Sequence, residues 1–111
     1  MTKADFNKKV KVSSNNLDKW ILNIWGSYDE FHNDVNSGDV LEIPVNALVP
    51  RTFDELNYAK KNNSFSDEMI ELTRTDIYNI DGITPEMVIY DGHNRLMDLD
   101  INSIVRIKIR D

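Results

Sequence analysis

Between Leu17 and Val35 the apolar residues recur at steps of three and four: Leu17, Trp20, Ile21, Ile24, Trp25, Tyr28, Phe31 and Val35. That is the period of an α-helix with one apolar face. Ser14, Asn15 and Asn16 precede it as candidate caps, and Ser37-Gly38 follows as a stop. Gly26-Ser27 interrupts the run, and Ser27 with Glu30 has capping-box spacing. The pattern therefore predicts two helices meeting at Gly26, or one helix bent there. Ahead of Ser14 no apolar period is evident. Residues 1–13 are expected to be a flexible basic segment, with KKVKV as a possible edge strand, and 14–111 a single domain.

Downstream, VLEIPVNALV reads as a strand, and Pro44, which lacks a ladder donor, places it at a sheet edge or bulge. Thr52 and Glu55 repeat the capping-box spacing and predict a short helix to about Lys61. In FSDEMIELTRTDIYNID the early acids and Ser64 or Ser66 favour a helix to about Arg74. Its β-branched second half also fits a strand. Gly82 and Pro85 mark a turn.

In the tail, Met97, Leu99 and Ile101 alternate with Asp98 and Asp100, and Val105, Ile107 and Ile109 alternate with Arg106, Lys108 and Arg110. Period two predicts strands with one buried face. Paired antiparallel through a loop at Asn102 to Ile104, they set Asp100 opposite Arg106 and Asp98 opposite Lys108, and the charges fix the register. A third strand, Met87 to Tyr90, would join through a turn at Asp91 to Asn94. The expected fold is α+β: N-terminal helices packed on a small, mainly antiparallel sheet that ends in a three-stranded β-meander.

Composition narrows the function. The chain has 111 residues, 41% hydrophobic, which is one domain with a modest core. It has no cysteine, which removes disulfides, thiolate nucleophiles and cysteine metal sites and fits a reducing compartment. No apolar run approaches a membrane span, and the Lys-rich start has no hydrophobic stretch behind it like a secretory signal's. A cytoplasmic location is expected. Net charge is −6, and from Trp20 to Pro50 there is neither Lys nor Arg, while Asp29, Glu30, Asp34, Asp39 and Glu42 fall there. That balance argues against direct binding of nucleic acid and towards a basic protein partner.

Asp98-Leu99-Asp100-Ile101-Asn102 has the D-x-D-x-N opening of a calcium loop, but Ser103 and Ile109 stand where that loop needs Gly and Glu. No metal site and no cofactor are expected. His32 and His93 belong to no paired motif, and no G-x-S-x-G, G-x-G-x-x-G or G-x-x-x-x-G-K is present. The chain is therefore expected not to be an enzyme.

GHNRL (Gly92 to Leu96) follows a strand and precedes IVRIKI, with LEIPVNAL further upstream. This order resembles the ParB/sulfiredoxin-like domain, where a strand enters a G-[EH]-R-R-type turn at the start of a helix and the turn contacts nucleotide phosphate. By that resemblance Gly92, His93 and Arg95 would hold phosphate. Asn94 stands in place of an arginine, RLMDLDI has strand period, and the sulfiredoxin cysteine is missing.

The leading expectation is a non-enzymatic acidic inhibitor, of the toxin-immunity or phage anti-defence kind, that occludes a basic protein. Trp25, Tyr28, Asp29, Glu30, Asp34 and Asp39 would form its contact surface, with aromatic anchors among acids. The alternatives are the nucleotide-binding domain and a structural subunit of a larger assembly.

Overall fold

A computed structural model describes residues 2–51, 69–75, 79, 82–92, 96 and 99–110. Its first element is α1 (Lys3–Trp25), a single long helix. Thr2 caps it: the Thr2 hydroxyl accepts from Asp5 N at 3.2 Å, and Asp5 Oδ2 accepts from Thr2 N at 3.4 Å. Residues 3–13 are thus helical, where the sequence pattern led us to expect a flexible segment. The reason is a buried stripe of Phe6, Val10, Ser13, Ser14, Leu17 and Ile21. Two serines in its middle hide its continuity from a count of apolar residues. Ile24, expected on the apolar face, is 53% exposed because the stripe lies on the other side of the helix.

α1 ends at Gly26 in the left-handed region (φ 83), whose N–H donates to Leu22 O at 2.9 Å. The second helix, α2 (Tyr28–Asp34), starts at Ser27, whose Oγ accepts from Glu30 N at 3.2 Å. The two-helix reading with a joint at Gly26 is the one realised.

Among the described residues four strands follow: β1 (Val40–Pro44), β2 (Ile70–Arg74), β3 (Met87–Asp91) and β4 (Ile104–Ile109). They form one mixed sheet in the order β1-β4-β2-β3, with β2 parallel to β4 and the other two pairings antiparallel. The α+β class holds, and β1 with Pro44 lies at an edge. A 3-10 turn, Val45–Ala47, leads out of β1, and Asn46 O accepts from Asn16 Nδ2 of α1 at 3.3 Å. Phe6, Val10, Leu17, Ile21 and Phe31 from the helices share one core with Ile43, Ile70, Leu72, Ile89, Ile107 and Ile109 from the strands. No described helix is long and apolar enough to cross a membrane.

Two expectations are corrected. Ile70–Arg74, where a helix was favoured over a strand, is a strand: Ile70 and Leu72 are buried and their neighbours are not, which is the alternation of period two. The C-terminal meander does not form either. β4 is central, with Glu42 of β1 opposite Arg106 and Glu71 of β2 opposite Lys108. The bases do face acids, but those acids come from other strands. Asp100 does not cross to Arg106, because its Oδ1 accepts from Asn102 N at 2.9 Å and its carbonyl from Ser103 N at 3.0 Å. A local turn has outcompeted the strand. The expected helix at 52–61 lies outside the described residues, as does Asp98, which was expected to face Lys108.

Candidate functional site

Two surfaces correspond to the residues singled out in the sequence. The first is the corner where α1 meets α2. Trp25 packs edge-on against Trp20 (centroids 5.3 Å apart) and against Phe31 (4.8 Å). Its indole Nε1 donates to Asp34 Oδ2 at 2.9 Å. Arg74 of β2 reaches the C-terminal end of α2, donating to the carbonyls of His32 and Val35, where a cation suits the helix dipole. His32 Nε2 lies 3.0 Å from Glu86 Oε2. α2 is therefore fastened to the sheet at its far end.

The expected contact residues divide. Trp25 and Asp34 are bonded to each other. Asp39 lies beyond α2, and its Oδ2 accepts from Asn36 N at 2.8 Å. Tyr28 is half-buried, and burial first, then the Asp18 carboxylate, push its phenol above the ordinary value of 10.0. Asp29 and Glu30 are exposed in the first turn of α2. The structure thus leaves two acids and a half-buried tyrosine on this corner, rather than six open residues.

The second surface is the exit from β3. After Asp91 the chain enters Gly92 at φ 104, and Gly92 N donates to Asp91 Oδ1 at 2.9 Å. A Cβ on Gly92 would stand 3.0 Å from the Ile70 Cα, so both conformation and space require glycine. Leu96, buried in the core, is helical and donates its N–H to Gly92 O at 3.2 Å, four residues back. That bond, four residues back, has the helical spacing, where a hairpin was expected. His93 and Arg95 lie outside the described residues. On β3, Tyr90 is 39% exposed, with the Arg110 guanidinium 4.3 Å from its ring centroid and that of Arg51 at 5.7 Å.

Sequence reasoning missed Arg110, Tyr90 and Lys108 as a group. β4 and β3 are separated by β2, and only the strand order brings them to one face. Arg110 Nη1 donates to Glu71 Oε2 at 3.2 Å, and that bond, followed by the nearby Tyr90, raises the guanidinium pKa further. Among the described residues no three His, Asp or Glu side chains converge as a metal site would require. No protein-family model, curated protein or solved structure matches the chain.

Proposed function

We propose that the chain is a binding module, not an enzyme, and that it takes a phosphate-bearing ligand of the nucleotide class at the turn following β3. The observation that carries this reading is the route of the backbone at Gly92. A strand runs into a glycine at positive φ, and Leu96 N–H donates back to Gly92 O. Backbone N–H groups at the start of a helical turn are in general a site for an anion. The resemblance of GHNRL to the turn of ParB/sulfiredoxin-like domains adds the chemistry, with His93 and Arg95 as the charged and hydrogen-bonding side chains. Neither family's catalytic equipment is carried over. The lack of cysteine is in keeping with the cytoplasm.

The test is calorimetric titration with nucleoside mono- and triphosphates. Saturable binding that Arg95→Ala weakens by about tenfold or more, the loss of a charge-assisted hydrogen bond, supports the reading. No binding by any nucleotide refutes it.

A second reading is favoured by Asp29 and Glu30. Both are exposed beside half-buried Tyr28, in a stretch without Lys or Arg. That surface suits a basic protein, which the chain would occlude as an inhibitor. Affinity for a partner recovered from the native host should then fall with salt and with Asp29→Lys and Glu30→Lys. Unchanged affinity in those variants removes this reading.

A further inference from the structure

A cleft of about 280 Å³ opens at the C-terminal end of β4, lined by Ser37, Gly38, Glu71, Lys108, Ile109 and Arg110. Its walls are fixed by backbone bonds. Gly38 N donates to Ile109 O at 2.7 Å and Ile109 N to Asp39 O at 2.8 Å, which lays the Ser37-Gly38 turn on the end of β4. On the other side Arg110 N donates to Leu72 O at 2.7 Å, and Glu71 stands opposite Lys108 in the β2–β4 register.

We propose that this cleft is an anion site that takes a phosphoryl group between Lys108 and Arg110, with the Ser37 hydroxyl as a further donor. Among its described lining residues two cations stand against one carboxylate, Glu71, which already holds Arg110 Nη1 at 3.2 Å. Asp39, next to Gly38, accepts from Asn36 N, and the Asp91 carboxylate, opposite Glu71 on β3, also acts on Arg110. One guanidinium edge is anchored by Glu71 and its face by Tyr90, so Arg110 is held in place for an incoming oxyanion. Lys108 supplies the mobile charge. The volume lies at the small end of ligand pockets and suits a phosphate group, not a large apolar molecule.

The phosphoryl group has two possible sources, which share this chemistry: free inorganic phosphate, or an outer phosphate of a nucleotide held at the Gly92 turn. Tyr90, next but one before Gly92, touches Arg110 and links the two places. The site does not depend on the turn, since all its residues lie outside it.

The experiment is an NMR titration of the ¹⁵N-labelled full chain with inorganic phosphate, and separately with a nucleoside triphosphate, each against sodium chloride of equal ionic strength. Saturable shifts at the amides of Gly38, Lys108 and Arg110 are expected with phosphate and not with chloride. Lys108→Ala should weaken binding about tenfold, as loss of a charged donor does. Glu71→Gln, which removes the competing negative charge, should tighten it. If only the triphosphate shifts these amides, the source is a nucleotide. If the triphosphate shifts Gly92 and leaves Lys108 untouched, this inference fails while the turn reading stands. Shifts that never saturate, that chloride reproduces, or that survive Lys108→Ala unchanged overturn it.

Discussion

The indole N–H of Trp25 lies 2.9 Å from Asp34 Oδ2, which ties the last turn of α1 to the last turn of α2. The same ring meets Trp20 and Phe31 edge-on, so Trp25 is the joint of the helical layer. Trp25→Ala should cost about 3 kcal/mol, the usual loss for a large aromatic. Asp34→Ala should cost about 1 kcal/mol, the worth of one hydrogen bond. Urea denaturation of the two variants measures both. A Trp25→Ala variant as stable as the parent would show that the indole is not part of the core, and would return it to the list of partner anchors.

Phe6 and Val10 carry a second prediction. Both are fully buried in the first half of α1. Phe6→Ala should destabilise the protein by about 3 kcal/mol, and the amides of residues 6–13 should be protected from hydrogen exchange. Exchange at random-coil rates across 6–13 would restore the flexible segment that the Lys-rich sequence led us to expect.

How much of this was legible in the residues follows from which forces are local. The joint at Gly26, the cap at Ser27 and the edge position of β1 were readable, because glycine, serine and proline act through their own backbone. The first half of α1 was not, since Ser13 and Ser14 occupy buried positions that a polarity pattern assigns to solvent. The tail misled for another reason. Alternation correctly marked β4, but its partners are chosen by burial of Ile107 and Ile109 against Leu41, Ile70 and Leu72, far away in sequence. Asp100 looked like a rung in a charge ladder and is a turn former. Gly92 was legible in the sequence, but the bond it receives from Leu96 N–H was not.

Ser14 offers a test in the stabilising direction. Its Oγ is buried and has no hydrogen-bond partner among the described residues. Removing an unsatisfied buried hydroxyl relieves its desolvation cost, and alanine is the better helix former. Ser14→Ala should raise the stability by about 1 kcal/mol. A fall in Tm for this variant would mean that the hydroxyl is in fact bonded.

Tyr28 should titrate late. Burial and the Asp18 carboxylate both disfavour the phenolate, so its folded pKa lies above the ordinary 10.0. Above pH 10 the unfolded chain then loses this proton more readily than the folded one, and stability declines as pH rises through the gap. Below pH 10 the phenol is neutral in both states and contributes no slope. The difference in phenolate absorbance between the parent and Tyr28→Phe gives the midpoint. Asp18→Asn should lower it part of the way, leaving the share due to burial. A midpoint at or below 10 would contradict this environment.

The most direct measurement of the central claim is the thermal stability of the full chain with and without a saturating nucleoside triphosphate, for the parent and Arg95→Ala. At a hundred times its Kd a ligand of the folded state stabilises by about 2.7 kcal/mol. The account predicts a clear rise in Tm for the parent that Arg95→Ala largely abolishes. A parent Tm unmoved by every nucleotide tried, or raised equally in both proteins, would contradict it.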